Sequence, residues 1–576
     1  MTENYALSGH AQVIAGNGSP LSLDVFREVC EGAVSGETMG VLRRIENTQR
    51  KLLLKAFVRQ VLSLVADLPP DFAEAWTLLL EAEDAAPLVV DEVLMFPAVG
   101  LWLRRTTESV VDGNVDTGAH LGVLHAVAAA AAIRAGLDFA LDVPVVHGVV
   151  TLPTVGDFTV SVDDSVDFVR ITRTGSRCEV GFAGERLAEW GDDSFQAVRV
   201  CRTEYAGARL EVVFDDRDPH RVFVDSPSVP DPLSDVEFKD WCGQLDRAWT
   251  VLVNWDPEYA AELSAGLTSL VPLTREGRLV GASSSAAFGS IALSEKSSPD
   301  ELADALVHEL QHSKLNAVFA AVALHESGND RFYAPWRDDP RPLNGVLHGI
   351  YAFTGVVEFW SARRGLVPEE QRAEADFAFV LRALQVRSAI EEIGATAALN
   401  EWGVLFLETL SRRLAACEPE LTAADRTGPV ARIVDDRRAL WRVKHVEPDK
   451  ADIAALADAW SADRSAAVEV RGTIADHMVC AFSDRVPLLK AMALGQAVDP
   501  GGIDAADLAF VRGDVEEAAA GYRARLAVDA DDEQAWAGLT AALGAADVAE
   551  VAVALHRELG GSDPVDLVGW LVAGRS

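Results

Sequence analysis

The stretch "ELADALVHELQHSKLNAVFAAVAL", residues 301–324, is the part of the sequence from which the fold is best read. Its apolar residues recur every three or four positions, a spacing that predicts an amphipathic helix. This helix contains the pattern HExxH, formed by His308, Glu309 and His312. Because residues four apart lie on one face of a helix, both histidines can direct a nitrogen at one ion. The leucines and valines around them indicate burial, so the stretch predicts a metal site for Zn²⁺ or Fe²⁺.

A catalytic ion needs a third protein ligand, and the metzincin pattern does not supply it. That pattern places Gly at the third and His at the sixth position after the second histidine, where this chain has Leu315 and Val318. In a gluzincin the third ligand is a glutamate from a downstream helix, and Glu326 and Glu358 are the carboxylates available. A third possibility is His348, which lies 36 residues after His312 (348 − 312).

His348 is the third ligand that we favour. It is a lone polar residue in "PLNGVLHGIYAFTGVVEFW", residues 342–360, which predicts an apolar helix that begins after a proline-rich turn. The alternative is a core histidine that is bonded to a backbone carbonyl. The HExxH pattern upstream favours a metal ligand, so the predicted set is His308, His312 and His348.

A turn between the two helices carries two arginines beside a tryptophan and two prolines. It is "RFYAPWRDDPRPLNG", residues 331–345, with Arg337 and Arg341. A guanidinium held in such a turn can bind a carboxylate through two parallel hydrogen bonds. The alternative is an ion pair with Asp330, Asp338 or Asp339, which lie close to the arginines in the sequence. The pattern alone leaves both possibilities open.

The composition excludes some classes of function. The 576 residues carry a formal net charge of −38, from 89 Asp and Glu against 51 Lys and Arg, which would repel a nucleic acid backbone. The six cysteines are scattered singly, without CxxC pairs, as expected for a reducing cytoplasm. The N-terminus lacks a signal peptide, and the longest apolar stretch, "AVAAAAAI" at 126–133, is too short to span a bilayer. We therefore expect a cytoplasmic protein without membrane or nucleic acid partners.

Changes in residue pattern divide the chain into four segments. They are 1–140, an N-terminal helical region; 141–225, a strand-rich segment; 226–490, a helical catalytic region with the HExxH motif; and 491–576, a tetratricopeptide-like helical appendage. The linker candidate is "DSPSVPDPLSD", residues 225–235, which has three prolines and three aspartates. The predicted fold class is mainly α with an inserted β-rich segment, an α+β multidomain chain around a metal-binding helical core.

The tetratricopeptide-like prediction rests on residues 505–543. Small and bulky residues occur there at the positions where a pair of packed helices needs them. These are Gly513, Ala518, Tyr522, Leu526, Trp536 and Leu539. One repeat cannot bury its own apolar face, so it must pack on neighbouring helices or on a partner.

The central block of the chain, residues 283–353, resembles a known family. "LVHELQHSKL", "YAPWRDDPRPLNGVLHGIYAF" and "SSSAAFGSIALS" are similar to the HEXXH-motif family of peptide-modification proteins, which serve the maturation of ribosomally synthesised, post-translationally modified peptides. Weaker similarity extends toward the N-terminus and to the region around Trp441. The resemblance implies an iron(II) and α-ketoglutarate-dependent oxygenase that hydroxylates the β-carbon of a residue in a precursor peptide. Other peptide-maturation enzymes are implied as partners through the C-terminal helical repeat.

The resemblance also implies roles for individual residues. Carried over to this sequence, the site has Glu309 beside the metal ligands His308, His312 and His348, with Arg337, Arg341 and Ser285 binding the co-substrate. Three protein ligands on one face of Fe²⁺ leave room for a chelating 2-oxo acid and O₂. In this interpretation Glu309 orients a ligand or a bound water, and its replacement should have a moderate effect.

Two other functions remain open. In a zinc metallopeptidase Glu309 would be the general base, taking a proton from the metal-bound water that attacks an amide. The second alternative is a non-catalytic scaffold that recruits a peptide through the C-terminal helices. Replacement of Glu309 separates the peptidase from the oxygenase, because only the peptidase needs its carboxylate to move a proton.

Overall fold

The computed structural model describes residues 21–65, 68–113, 119–163, 165–221, 232–273, 281–326, 328–466, 469–475, 482–498 and 501–574. The predicted linker at 225–235 lies outside these residues up to position 231. The chain forms two compact units, Met1–Ala323 and Leu324–Ser576. The finer division into four segments stays a prediction.

The first unit begins and ends with helices. Its helices are α1 (Leu23–Glu31), α2 (Gly36–Leu64), α3 (Phe72–Ala85), α4 (Pro87–Leu94), α5 (Pro97–Val111), α6 (Ala119–Ala135), α7 (Asp235–Trp255), α8 (Pro257–Gly266) and α9 (Pro299–Ala321). Between and beside them lie the strands β1 (Phe139–Pro144), β2 (Val149–Leu152), β3 (Gly156–Thr159), β4 (Phe168–Thr174), β5 (Arg177–Phe182), β6 (Glu185–Glu189), β7 (Phe195–Ala197), β8 (Arg199–Tyr205), β9 (Ala208–Phe214), β10 (Ser269–Pro272), β11 (Gly281–Ala282) and β12 (Ser290–Leu293).

The strands form three sheets. The order is β1-β4-β5-β6 in the first, β2-β3-β7 in the second and β11-β12-β10-β9-β8 in the third. In the third sheet β10 runs parallel to both β9 and β12, while β11 and β8 pair antiparallel with their neighbours. The chain leaves β12 and enters α9, which packs against β12, α2 and α7. This sheet therefore positions the HExxH helix.

The alanine-rich stretch that the sequence analysis found too short for a membrane lies within α6. The side chains of residues 126–132 are all buried, because α6 packs against α3, α4, β1 and β2. Small side chains allow these elements to approach closely. Within the described residues, no helix combines the length and the apolar character needed to cross a membrane.

The second unit is almost entirely helical. Its helices are α10 (Leu343–Arg363), α11 (Arg372–Thr396), α12 (Glu401–Cys417), α13 (Ala423–Thr427), α14 (Pro429–His445), α15 (Lys450–Ser461), α16 (Arg485–Ala493), α17 (Ala505–Arg512), α18 (Val515–Val528), α19 (Glu533–Ala542), α20 (Ala549–Leu559) and α21 (Pro564–Ala573). Two short hairpins accompany them: β13 (Arg331–Phe332) with β14 (Arg341–Pro342), and β15 (Val446–Pro448) with β16 (Gly472–Ile474).

The C-terminal helices pack as the sequence pattern predicts. Gly513 ends α17 with a φ of 84°, a left-handed conformation that favours glycine. The bulky packing residues Tyr522 and Trp536 are buried, together with Ala518, Leu526 and Leu539. The predicted fold class, mainly α with an inserted β-rich segment in a multidomain chain, is confirmed.

Candidate metal centre

The helix that carries the HExxH pattern begins at Pro299, two residues before the stretch from which it was predicted. The Ser298 side chain accepts a hydrogen bond from the Glu301 backbone N–H and caps α9, and Pro299 occupies its first turn. Asp300 and Glu301 place negative charge at the positive end of the helix dipole. The two histidines lie near the middle of the helix, away from its ends, where the backbone is most regular.

The two imidazoles of α9 converge. The Nε2 atoms of His308 and His312 are 3.1 Å apart, and the rings meet nearly at right angles, at 86°. Two metal–nitrogen bonds of about 2.1 Å spanning this distance would subtend about 95°, between the octahedral and tetrahedral angles. The same distance suits a hydrogen bond between two neutral imidazoles. The pair therefore fits two of the ligand positions of a metal ion and leaves open which metal binds.

Burial sets the protonation state of His312. Desolvation lowers the pKa of His312 to about 4, so the ring is neutral at neutral pH. Neutral imidazole is the form that binds a metal ion. Within the part of the chain that the structure describes, no group of three or more His, Cys, Asp or Glu side chains is arranged to hold a metal. The described geometry therefore supports two ligands of the predicted three.

Glu309 is buried against the third sheet of the first unit. Its carboxylate accepts a hydrogen bond from Ser283, and a side chain added at Gly281 would come within 3.0 Å of Oε1. Burial raises the pKa of Glu309 to about 7, although Ser283 and the nearby Lys296 act in the opposite direction. A carboxyl group with such a pKa can either orient a neighbour or exchange a proton near neutrality.

The segment Ser283–Ser285 lies between Glu309 and Arg104, a residue that the sequence alone did not indicate. Ser283 bonds to Glu309 at one end of the segment, and Ser285 bonds to Arg104 at the other. The Ser285 hydroxyl, a predicted co-substrate ligand, accepts a hydrogen bond of 2.8 Å from Arg104 Nη1. The backbone carbonyl of the following residue, Ala286, accepts a hydrogen bond of 2.6 Å from Arg50 Nη2. We name residues 283–286 the serine loop. Arg104 is far from the HExxH pattern in the sequence, and nothing in its local context indicated this contact.

A buried ion pair anchors α9 two residues beyond the second histidine. Lys314 Nζ lies 2.7 Å from Glu262 Oε1, and both side chains are fully buried. Lys314 also donates a hydrogen bond to the Gly32 carbonyl, and Glu262 Oε2 accepts one from the Val34 backbone N–H. This network connects α9 to α8 and to the segment between α1 and α2. It therefore fixes the helix on which the two histidines lie.

Gln311 lies on α9 between the two histidines and is completely buried. Neither its Oε1 nor its Nε2 atom has a hydrogen-bond partner among the described residues. Buried amides in native proteins are almost always bonded, so an unsatisfied one requires an explanation. A bound ligand or an ordered water would provide the missing partners.

In the second unit, both arginines of the predicted turn bind the same aspartate. Arg337 Nε donates to Asp339 Oδ1 at 3.1 Å, and Arg341 Nη1 donates to Asp339 Oδ2 at 2.9 Å. The two guanidinium groups lower the pKa of Asp339 despite its partial burial. The ion pair that the sequence left open as an alternative is therefore present. A role of Arg337 and Arg341 in binding the co-substrate stays a prediction.

The candidates for the third ligand all belong to the second unit. His348 lies on α10, which begins after Pro342 as predicted, and is partly buried. Glu358, on the same helix, makes a bidentate ion pair with Arg413, whereas Glu326 is exposed. A carboxylate already bound by a guanidinium is a poor metal ligand, which makes Glu358 the weaker candidate. His348 as the third ligand stays a prediction.

Comparisons with known proteins do not assign this chain to a family. Neither the models of protein families nor the curated proteins match this chain. The resemblance to the HEXXH-motif family therefore stays a prediction that rests on the residues quoted for it.

Proposed function

We propose that this protein is an iron(II) and α-ketoglutarate-dependent oxygenase that hydroxylates the β-carbon of a residue in a ribosomally made precursor peptide. The observation that carries the metal centre is the 3.1 Å separation of the His308 and His312 Nε2 atoms on α9. The choice of oxygenase chemistry comes from the resemblance of the central block. A cytoplasmic location and the precursor peptide as partner belong to the same proposal.

The residues of α9 would hold the metal and keep its surroundings ordered. Ferrous iron, when bound, supplies the oxidising chemistry that couples the decarboxylation of α-ketoglutarate to hydroxylation of a C–H bond. His308 and His312 would provide the nitrogen ligands, and burial keeps the pKa of His312 low, so that its ring is neutral. The Lys314–Glu262 pair fixes the helix behind them. A rigidly held pair of ligands is what a defined metal geometry requires.

The co-substrate needs a cation for its distal carboxylate. The sequence analysis predicted Arg337 or Arg341 for this task, with Ser285 as a hydroxyl donor. Arg104 adds a candidate within the first unit, because it already contacts Ser285 in the serine loop. Arginine suits this role, since its planar guanidinium binds a carboxylate through two hydrogen bonds.

The position of β11 supports a peptide as substrate. This strand is at the end of the strand order in its sheet, and Gly281 lies against the carboxylate of Glu309. An edge strand has backbone N–H and C=O groups to which an extended peptide can add as a further strand. A peptide bound in this way would run beside the HExxH helix.

The raised pKa of Glu309 favours a second candidate, a zinc metallopeptidase. A carboxylate with a pKa of about 7 is well suited to take a proton from a metal-bound water near neutral pH. In the oxygenase, the same carboxylate would only orient its neighbours through Ser283. A scaffold without catalysis remains the outcome if neither activity is found.

The two activities are separated by one assay on the intact protein. The chain is reconstituted with Fe²⁺ without oxygen, and then given O₂, α-ketoglutarate and the precursor peptide encoded beside it. We expect succinate and a peptide heavier by one oxygen atom, and Glu309→Gln should retain part of this activity because glutamine still accepts the bond from Ser283. Peptide cleavage with Zn²⁺ that is abolished by Glu309→Gln would establish the peptidase instead.

A further inference from the structure

The edge strand β8 and the helix α7 meet along a regular row of side-chain contacts. Alternate residues of the strand contact residues four apart on the helix. The contacts are Arg199 with Phe238, Cys201 with Cys242, and Thr203 with Asp246. Two residues of a strand advance by about 6.6 Å and four residues of a helix by about 6 Å, so the two repeats stay in step.

The middle contact of this row brings two cysteines together. The Cys201 thiol donates a hydrogen bond to the sulfur of Cys242. The contacts on either side hold the pair in place, with the Arg199 guanidinium 4.8 Å from the Phe238 ring centre and the Thr203 hydroxyl bonded to Asp246. Both cysteines are in the thiol form in this structure. A disulfide bond, in which the sulfurs are about 2.05 Å apart, requires the two side chains to move closer together.

The two thiols differ in reactivity. Cys201 is buried, and its hydrogen bond to Cys242 together with desolvation raises the pKa of its thiol. Cys242 is only partly buried, and the hydrogen bond it accepts and the positive charge of Arg199 lower the pKa of its thiol. A partly accessible thiol with a lowered pKa beside a second thiol is the arrangement found in redox-sensing cysteine pairs.

We propose that Cys201 and Cys242 form a reversible disulfide when the protein meets a peroxide, so that β8 and α7 carry a redox-modifiable pair. The inference concerns residues outside the HExxH helix and does not rest on the proposed function. In a reducing cytoplasm such a pair would stay in the dithiol form and oxidise transiently.

The reaction has two steps. The Cys242 thiolate attacks one oxygen of hydrogen peroxide and becomes a sulfenic acid, while hydroxide leaves. The Cys201 thiol then attacks the sulfenic sulfur, its proton leaves with the hydroxyl group as water, and the S–S bond forms. In total the two thiols lose two electrons and two protons, and peroxide is reduced to two molecules of water.

The disulfide would change the mechanical link between two elements of the first unit. It would connect the edge strand of the third sheet directly to α7, which also packs against α9. It would close a loop of roughly 40 residues, and loop closure restricts the unfolded chain. We therefore expect the oxidised protein to unfold at a higher temperature than the reduced protein.

Peptide mapping of the full chain tests the proposal. The reduced protein is treated with increasing hydrogen peroxide, the remaining thiols are alkylated, and tryptic peptides are identified by mass. We expect a linked pair made of residues 200–202 and 240–247 that disappears when a dithiol reductant is added. Before oxidation, Cys242 should be alkylated at least about tenfold faster than Cys201, Cys30, Cys178 or Cys417, which are buried.

Variants assign the role of each thiol. In Cys201→Ser the sulfenic acid of Cys242 should persist and be trapped by dimedone, whereas Cys242→Ser should leave Cys201 unoxidised. Cys417→Ser is the control, because Cys417 lies on α12 and outside the row of contacts between β8 and α7, and it should form the same link as the wild type. The proposal is wrong if the folded wild-type protein gives no 200–202 to 240–247 link, or if other cysteine pairs link equally well. The wild-type map decides this even if Cys201→Ser fails to fold.

Discussion

Gln311 and Gln385 are both buried, but their hydrogen bonding differs. Gln385 donates to the Pro335 carbonyl at 2.9 Å and accepts from Arg382 at 2.8 Å. Gln311, between the histidines of α9, has no partner for either amide atom among the described residues. An unsatisfied buried amide costs stability unless a ligand or a water completes it. At the scale of single residues, this difference makes Gln311 a buried amide that a water or a ligand would have to complete.

Replacement of each glutamine by leucine tests this interpretation. We expect Gln311→Leu to leave the thermal unfolding midpoint unchanged or to raise it, because an apolar side chain removes the unsatisfied amide. The matched control Gln385→Leu should be destabilised by about 1–3 kcal/mol, since it leaves two former partners unbonded. We also expect Gln311→Leu to lower turnover in the oxygenase assay. A large loss of stability in Gln311→Leu would show that its amide has a structural partner.

At the scale of elements, α9 is held by charge as well as by apolar packing. The Lys314–Glu262 pair is fully buried and shares its hydrogen bonds with the backbone of residues 32 and 34. A buried pair of this kind adds little stability over an apolar pair, but removal of one partner leaves an unpaired buried charge. The position of His308 and His312 therefore depends on residues remote from them in the sequence.

The variant Lys314→Met measures this dependence. We expect a loss of about 3–5 kcal/mol in the free energy of unfolding, because the buried Glu262 carboxylate loses the positive charge beside it. The double variant Lys314→Met/Glu262→Gln should recover part of that loss. The control Lys55→Met, at an exposed position of α2, should change stability by no more than about 0.5 kcal/mol. If Lys314→Met behaves like this control in denaturant titrations, the pair does not anchor α9.

The elements also show what the sequence could and could not predict. The three-to-four spacing in residues 301–324 correctly indicated α9. The contact of Arg104 with Ser285 and that of Lys314 with Glu262 join positions far apart in the chain. A local pattern contains no information on such pairs, because tertiary packing selects the partners.

At the scale of the whole molecule, the net charge of −38 affects any experiment with metals. A strongly acidic surface attracts divalent cations weakly at many places. Binding at the proposed centre must therefore be distinguished by affinity and by variants of particular histidines. The experiments use the full chain, because it contains every residue that is predicted to bind the metal.

The measurement that tests the central claim most directly is the metal content of the full chain after dialysis against a weak chelator. The account predicts one tightly held Fe²⁺ or Zn²⁺ per chain in the wild type, with loss of that ion in His308→Ala and in His312→Ala. The control His147→Asn removes an exposed imidazole outside α9 and should retain the ion. Circular dichroism of each variant shows that the fold persists. Full occupancy in both alanine variants would contradict a metal centre on α9.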